Sequence, residues 1–180
     1  RFERASPASG LVSRFIDVTI NRPFFLGRNE VTQQEWRAVM GTNPSRFADC
    51  DPRCPVENVT WGEVQQFLTA LNLQADKQLV YRLPTESEWE YACRAGTVTP
   101  FFMGDAISTA QANFNGKEPY GKAAAGQFRQ RPTRTGGFPG NSWGFQDMHG
   151  NVAEWTNDWY GAYPSDDVTD PAGPAAGEAR

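Results

Sequence analysis

The fold of this chain is decided by the stretch Gly144-Phe145-Gln146-Asp147-Met148-His149-Gly150-Asn151-Val152-Ala153-Glu154-Trp155, which we call the central loop. It is too short and too rich in Gly, Asp and Asn to form a helix, yet it carries aromatic side chains that favour burial. We therefore predict an irregular segment that lies largely inside the protein. A buried irregular segment needs partners for its backbone groups.

Two kinds of partner are consistent with the composition of this loop. Asp147 and Glu154 offer carboxylate oxygens, and bends near Gly150 can turn carbonyl groups inward. Calcium accepts roughly six to eight such oxygens at about 2.3–2.6 Å. Alternatively, Asp147, Asn151 and Glu154 cap turns and hydrogen-bond the loop without a metal. The spacing of the residues leaves both interpretations open.

Three Thr-x-x-Glu motifs predict three helix starts. In such a capping box the Thr side chain and the Glu side chain each satisfy a backbone amide of the first turn, which otherwise lacks a partner. Each motif is followed by apolar residues at helical spacing, which supports the assignment. The motifs are Thr32-Gln33-Gln34-Glu35, Thr60-Trp61-Gly62-Glu63 and Thr85-Glu86-Ser87-Glu88.

The apolar periodicity predicts one buried face on each helix. Gly41 is expected to end the first helix and Gly96 the third, because glycine adopts the left-handed conformation that terminates helices. Cys93 lies on the apolar face of the third helix, so we interpret it as a small buried residue and not as a nucleophile. The apolar positions are Trp36, Val39 and Met40, then Val64, Phe67, Leu68 and Leu71, then Trp89, Ala92 and Cys93.

The remainder of the chain predicts few regular elements. Residues 15–20 are β-branched in partial alternation, and residues 24–27 follow a turn at Pro23, so we predict two short strands that form the sheet closing the domain. Residues 97–139 lack periodicity and are expected to form long ordered loops. Residues 166–180 are low in complexity, and we expect this tail to be loosely held.

Cysteine and histidine usage narrows the possible chemistry. Cys50 and Cys54 flank a turn, and a disulfide between them is as plausible as two free thiols. If they are bonded, an extracytoplasmic location is slightly favoured. Zinc would need more ligands than these cysteines and His149, the single histidine, readily provide. We expect His149 to be a loop residue whose ring hydrogen-bonds the backbone, so no catalytic triad can be argued.

Length and charge exclude several classes of protein. The 180 residues suffice for one domain with a sizeable core, and we predict a single domain over residues 1–180. The formal net charge is −4 and the basic residues are scattered, so a nucleic-acid partner is not expected. No apolar run is long enough to cross a bilayer. The first residues do not resemble a signal peptide, so we expect the chain to begin within a longer or processed protein.

A second informative stretch is Tyr81-Arg82-Leu83-Pro84-Thr85-Glu86-Ser87-Glu88-Trp89-Glu90-Tyr91-Ala92-Cys93-Arg94-Ala95-Gly96. Together with the central loop, it resembles the formylglycine-generating enzyme family, also called the sulfatase-modifying factor family. The likeness extends from about Phe24 to the C-terminus. It implies an α+β, loop-rich fold of the C-type-lectin-like kind, with short helices, small antiparallel sheets and bound calcium.

The resemblance also implies an activity. Enzymes of this family use oxygen to oxidise a cysteine of a sulfatase to formylglycine, with two reactive cysteines that bind copper and lie after a Gly-Gly-Ser-Trp-like strand. Residues 171–180 resemble the stretch just before that strand, so the chain is expected to lack the copper ligands and the C-terminal segment. We then expect an exposed apolar groove and self-association or a protein partner, with a sulfatase-like substrate if the protein is catalytic.

Calcium ligands follow from the same resemblance, position by position. Asp147, the carbonyls of Gly150 and Val152, and Glu154 match one site, although the family often has Asn in place of Asp147. A second site would use Asn113 and the carbonyl of Phe114 plus an acid. The matching stretch around residues 127–129 contains no acid.

Three functional hypotheses from different classes follow. The parent protein is a formylglycine-generating oxidase, or a relative with another oxidative role as in ergothioneine biosynthesis, or a non-catalytic ligand-binding or protein-interaction module, as lectin-like folds often are. A reactive cysteine pair in the parent protein would support the first hypothesis, and metal-binding histidines the second. Whether this chain is itself an enzyme stays open on the sequence alone.

Overall fold

The computed structural model describes residues 2–6 and 14–180 of the chain. Its regular elements are short and are joined by long ordered loops, which confirms the loop-rich α+β class. The Arg1 end of the predicted domain lies outside the described residues. The elements are β1 Phe2–Ser6, β2 Arg14–Thr19, α1 Gln33–Met40, α2 Trp61–Gln74, α3 Glu86–Arg94 and β3 Val168–Thr169.

The sheet is built around β2. β1 pairs antiparallel with β2, and β3 adds a parallel pair on the other edge, with Val18 opposite Val168. Ile16 and Val18, which alternate along β2, are 3% and 1% exposed, so one face of the strand faces the core. The strand predicted at residues 15–20 is therefore confirmed, shifted by one residue.

The second predicted strand, at residues 24–27, was wrong. These residues follow an irregular path, and the Phe25 side chain is 96% exposed. Both edges of β2 are occupied by β1 and β3, so this segment cannot pair with the strand that it follows in the sequence. Leu26 instead packs against the core formed by Ala92, Cys93 and Met148.

All three capping boxes are present, as predicted. At the start of α1, the Glu35 amide donates to Thr32 Oγ1 at 3.2 Å, and the Thr32 amide donates to Glu35 Oε2 at 2.8 Å. The same reciprocal bonds begin α2 and α3. Each such cap contributes about 1 kcal/mol to stability.

The helix ends follow the prediction in α1 and depart from it in α3. Gly41 caps α1 in the left-handed conformation, with φ 74°. In α3 the left-handed conformation begins at Ala95, with φ 46°, and the predicted Gly96 that follows is also left-handed, with φ 88°. The turn comes earlier because the Ala95 amide donates to Tyr91 O and the Thr97 amide to Arg94 O, which closes the helix there.

Two packing contacts place the helices. α1 and α2 meet through Trp36 and Phe67, whose rings stack with centroids 4.8 Å apart. α3 contributes Ala92 and Cys93 to a buried cluster with Met148 of the central loop. The core therefore fastens α3 directly to the central loop.

The C-terminal tail is tied down, so the expectation that it is loosely held was wrong. The Asp170 amide donates to Thr19 O at 2.8 Å, and the Tyr160 amide donates to Ala179 O at 2.8 Å. The Arg180 guanidinium lies 3.8 Å from the ring centroids of both Trp61 and Trp159. Such cation–π contacts hold a chain end that composition alone marks as mobile.

A disulfide closes the turn between Cys50 and Cys54. Cys50 and Cys54 form a disulfide, with Cα atoms 6.0 Å apart. The Cys54 carbonyl accepts a hydrogen bond from the Gln33 amide at 2.9 Å, so the turn packs on the start of α1. No described helix has the length and apolarity required to span a membrane.

Candidate functional site

The central loop is irregular, as predicted, and two of its non-glycine residues have left-handed backbones. Asp147 has φ 61° and Asn151 has φ 74°. The loop begins against α3, where Asn141 Nδ2 donates to Ala92 O at 2.7 Å and the Asn141 amide donates to Phe145 O at 2.8 Å. Left-handed turns at Asp and Asn reverse the chain here over a few residues.

Asp147 is buried, and one of its two carboxylate oxygens has no hydrogen-bond donor among the described residues. Its side chain is 6% exposed, and Oδ2 accepts a hydrogen bond from the Gly136 amide at 2.6 Å. No described residue donates to Oδ1, which is also buried. Burial raises the pKa of this carboxyl, and the Gly136 bond partly opposes the rise. A buried oxygen without a partner is costly, so this position calls for a proton or a cation.

Glu154 is the second carboxylate of the predicted site. Its Oε2 accepts a hydrogen bond from Trp89 Nε1 at 2.9 Å, and the side chain borders an open cleft from which it remains accessible. The surrounding protein raises its pKa mainly by desolvation, and the charge of Asp147 raises it further. The two carboxyl groups are therefore close enough to repel each other when both are ionised.

Gly150 marks a close approach between two backbones. A Cβ atom at this position would lie 2.5 Å from the carbonyl oxygen of Asn113. That carbonyl accepts a hydrogen bond from the Asn151 amide at 2.8 Å. Within the described part of the chain, no donor reaches the carbonyl oxygens of Gly150 or Val152.

The predicted donor set suits a hard cation. Asp147 Oδ1, Glu154 and the two open carbonyls at Gly150 and Val152 are all oxygen atoms of the kind that calcium prefers. Among the described residues, no group of three or more His, Cys, Asp or Glu side chains is arranged to hold a metal. Any ion in the loop would therefore depend on the backbone carbonyls as well as on the carboxylates.

Asn113 supports the central loop from a distant segment. Its Nδ2 donates to Arg131 O at 2.9 Å and to Asn151 Oδ1 at 3.1 Å. These two bonds engage the side-chain nitrogen of Asn113. The predicted second calcium site would instead need the side-chain oxygen, Asn113 Oδ1, and the Phe114 carbonyl. That second site stays a prediction.

Glu30 belongs to the site, although sequence reasoning missed it. Its Oε2 accepts a hydrogen bond from Asn151 Nδ2 at 2.8 Å, and Oε1 accepts one from the Val152 amide at 3.3 Å. Burial raises its pKa to about 8, and the charges of Asp147 and Glu154 contribute to the rise. No local motif marks this residue, because its partners lie 121 and 122 positions away.

The buried Cys93 and the half-buried His149 form a pair without a charged member. Cys93 is 6% exposed, and burial raises its pKa to about 12. His149 Nδ1 lies 3.8 Å from Cys93 Sγ, while His149 Nε2 accepts a hydrogen bond from the Phe102 amide at 3.1 Å. That bond assigns the ring proton to Nδ1. Burial lowers the pKa of His149, so the ring stays neutral. The ring's bond to the backbone and the buried thiol were both predicted.

The cysteines of this chain do not fit the family's copper site. That site needs two accessible thiolates. Cys50 and Cys54 are bonded to each other, and Cys93 is buried with its thiol protonated. The sequence contains no further cysteine.

A wide cleft of about 1410 Å³ opens beside the central loop and α3. Pockets for small molecules typically measure about 300–1,000 Å³, so this cleft is larger than one such ligand requires. Several acids of the cleft are engaged within the protein: Glu86 accepts a hydrogen bond from Tyr163, and Glu90 pairs with Arg94 at 2.7 Å. The aromatic side chains that line it are Trp89, Phe102, Trp159, Tyr160 and Tyr163.

The fold and the loop define a class of protein, and sequence comparison agrees. The profile of the family described as "Sulfatase-modifying factor enzyme 1-like domain" matches residues 14–177. The chain belongs to this family. The resemblance drawn from the two sequence motifs is thereby confirmed.

Relatives in this family have several names. The "Chaperone protein LppX" of Paenibacillus barcinonensis is 29% identical over 177 residues, covering 76% of this chain and 62% of the relative. The "Formylglycine-generating enzyme" of Mus musculus is 34% identical, covering 70% of this chain and 33% of the relative. That of Mycobacterium tuberculosis is 41% identical, covering 51% and 31%. The chain thus spans 31% to 62% of the length of these three relatives.

Two solved structures share the fold. "Treponema denticola variable protein 1" superposes with a TM-score of 0.69 at 23% identity, covering 98% of this chain and 77% of that one. PvdO from Pseudomonas aeruginosa gives a TM-score of 0.64 at 25% identity, covering 93% and 72%. These similarities establish the fold.

Proposed function

We propose that this chain is a calcium-stabilised, polypeptide-binding domain of the formylglycine-generating enzyme type that does not oxidise cysteine by itself. The observation that carries the proposal is the buried Asp147 Oδ1, which has no hydrogen-bond donor among the described residues. A bound cation would give this oxygen a partner.

Calcium has a structural role in this proposal. Asp147, Glu154 and the carbonyls of Gly150 and Val152 would hold the ion. The ion would offset the repulsion between two carboxyl groups whose pKa values are raised by desolvation. Because the loop packs on α3 through Met148, ordering the loop would also stabilise the core.

The cleft supports binding of a polypeptide segment. Its volume of about 1410 Å³ exceeds that of a typical small-molecule pocket, roughly 300–1,000 Å³. Aromatic walls favour apolar side chains. Tyr160 at its border is 81% exposed, which leaves its ring available to a partner. In a catalytic relative, a sulfatase-like protein would be the substrate.

Formylglycine generation would require a reactive cysteine pair in the same protein. In that case this domain would contribute the scaffold and the calcium loop, while the oxidation would take place at the additional cysteines. The state of Cys50, Cys54 and Cys93 favours the alternative of a non-catalytic interaction module for this chain taken alone.

Calcium binding can be tested by thermal unfolding. A ligand present at about 100 times its Kd stabilises the native state by about 2.7 kcal/mol. For a domain of this size that corresponds to a rise in Tm of about 5–10 °C. We expect this rise for the wild type and its loss in Glu154→Ala.

Glu118→Ala is the matched control, because Glu118 is an exposed acid whose removal leaves the loop intact. It should respond to calcium as the wild type does. An unchanged Tm of the wild type at millimolar calcium, together with no ion in crystals soaked in calcium, would refute the proposal.

A further inference from the structure

We propose that Glu30 is a positioning residue of the central loop, which aligns the loop backbone for the cation before the cation binds. The inference rests on the proposed calcium site and adds to it a residue that is not among the predicted ligands. It concerns how the loop is held in place.

The geometry of Glu30 is that of a two-point clamp. Each carboxylate oxygen accepts one hydrogen bond, from Asn151 Nδ2 at 2.8 Å and from the Val152 amide at 3.3 Å. A bond to a side chain and a bond to the adjacent backbone fix both the Asn151 amide group and the peptide that follows it. A carboxylate with two acceptor oxygens can do this, whereas a neutral amide side chain has only one acceptor oxygen.

Asn151, which Glu30 holds in place, also makes hydrogen bonds to two other segments of the chain. Its Oδ1 accepts hydrogen bonds from the Thr133 amide at 2.8 Å and from Asn113 Nδ2 at 3.1 Å. Its Nδ2 donates to Thr133 O at 3.1 Å as well as to Glu30. Because Asn151 has a left-handed backbone with φ 74°, this network must maintain a conformation that most residues avoid.

One of the two bound peptides carries the Gly150 carbonyl, and the other lies between that carbonyl and the Val152 carbonyl. In a trans peptide the N–H and the C=O point in opposite directions. The Asn151 amide is bound to Asn113 O, so the Gly150 carbonyl points away from Asn113. Glu30 binds the next amide, that of Val152, and so fixes the other side of Asn151. The loop between the Gly150 and Val152 carbonyls is thus ordered in advance, which reduces the entropy cost of binding.

Charge gives Glu30 a second connection to the site. Glu30 is an ionisable group near Asp147 and Glu154. An amide in its place changes both the hydrogen bonds and the ability to ionise, whereas a shorter carboxyl side chain changes the hydrogen bonds alone. The test has to separate them.

The test is a calcium titration of the purified protein by isothermal titration calorimetry, together with its melting temperature without calcium. Glu30→Gln leaves one acceptor oxygen and a side chain that cannot ionise. Glu30→Asp keeps an ionisable carboxyl group and withdraws it by one methylene. Substitution of residues that orient metal ligands typically lowers affinity by about 10–100-fold, and we expect a loss of this size in both variants.

Glu57→Gln is the matched control. The Glu57 carboxylate also accepts a backbone hydrogen bond, from the Phe47 amide at 2.8 Å, but it lies outside the central loop. Because glutamine keeps one acceptor oxygen for that amide, this variant should leave calcium affinity unchanged. The comparison separates positioning of the loop from the general effect of replacing a glutamate by glutamine.

The outcomes are distinct. If the wild type does not bind calcium, both the proposed function and this inference fail. If the wild type binds and both Glu30 variants bind equally well, only the inference fails. Wild-type affinity in Glu30→Asp with reduced affinity in Glu30→Gln would mean that charge alone acts, which also overturns the clamp. Should Glu30→Gln not fold, the Glu30→Asp result decides.

Discussion

At the scale of single residues, burial governs the chemistry of this protein. Glu30, Asp147 and Glu154 all have raised pKa values, and in each case desolvation is the largest cause. The same cause raises the pKa of Cys93 to about 12. Desolvated carboxyl groups bind protons or cations readily, whereas a buried thiol is unreactive. The residue environments therefore support the proposed cation site and disfavour thiol chemistry.

The first residue-scale prediction concerns pH. The folded pKa of Glu30 is about 8 against an ordinary value of 4.5, so the folded state binds more protons than the unfolded state between these values. The stability associated with protonated Glu30 is fully present below pH 4.5 and is lost as pH rises through about 8. In the presence of a chelator, we expect Glu30→Gln to show a weaker decline of stability over this window than the wild type.

Denaturant unfolding at a series of pH values measures this effect. Asp147 and Glu154 act with the same sign, so the variant should reduce the slope without removing it. Equal slopes in wild type and Glu30→Gln would show that Glu30 is ionised in the folded protein at neutral pH.

The second residue-scale prediction is an absence of activity. This chain should not convert a Cys-x-Pro-x-Arg peptide to its aldehyde, with or without copper, because Cys93 is buried and Cys50 and Cys54 are bonded to each other. Mass spectrometry against a control without protein detects the loss of sulfur. Conversion that disappears in Cys93→Ser would show that Cys93 is reactive and that its assignment to the core is wrong.

At the scale of elements, each helix begins through bonds made within its first turn. α3 adds a further contact, because Glu88 both closes the capping box with Thr85 and forms two hydrogen bonds with Arg82, each 2.7 Å long. α3 then delivers Cys93 and Ala92 to the core under the central loop. The start of this helix therefore sets the position of the loop.

The element-scale prediction tests that cap. Thr85→Ala should lower the free energy of unfolding by about 1 kcal/mol, within a range of about 0.5–2, since the Glu88 amide loses its acceptor. Urea denaturation measures the change. Thr69→Ala is the control: Thr69 is exposed inside α2 and its hydroxyl bonds only the Gln65 carbonyl, so the effect there should be small or stabilising. Equal effects would argue against the cap.

At the scale of the whole molecule, the cleft is the dominant feature of the described residues. It runs between α3, the central loop and the segment that ends with Arg180, whose guanidinium lies between Trp61 and Trp159. Exposed apolar area above a few hundred Å² generally marks an interaction surface. The cleft therefore supports the proposal that a polypeptide binds beside the candidate cation site.

The whole-molecule prediction follows from that surface. The isolated chain should bind a hydrophobic dye and self-associate as its concentration rises, as measured by fluorescence and light scattering. Tyr160→Ser should weaken both effects, because Tyr160 is 81% exposed at the cleft. Tyr120→Ser, at a tyrosine 54% exposed outside the cleft, is the control. A stable monomer that binds no dye would remove the reason to treat the cleft as a docking surface.

The sequence by itself determined the parts of the protein that depend on neighbours along the chain. The three Thr-x-x-Glu motifs predicted the three helix starts, because a capping box is closed by residues three positions apart. The irregularity of the central loop and the burial of Cys93 followed from composition and periodicity in the same way. The family was identified from two continuous motifs.

Only the tertiary structure decided the partners that lie far apart in the chain. Pairing of β2 with β3 excluded the strand predicted at residues 24–27, and contacts to Trp61 and Trp159 tied down the tail. Glu30 contacts the central loop although 121 residues separate it from Asn151 in the chain. Asp147 Oδ1 is buried where no described residue donates a hydrogen bond to it. Such contacts depend on how the chain closes in space, where burial and geometry select among many pairings that the local sequence leaves equivalent.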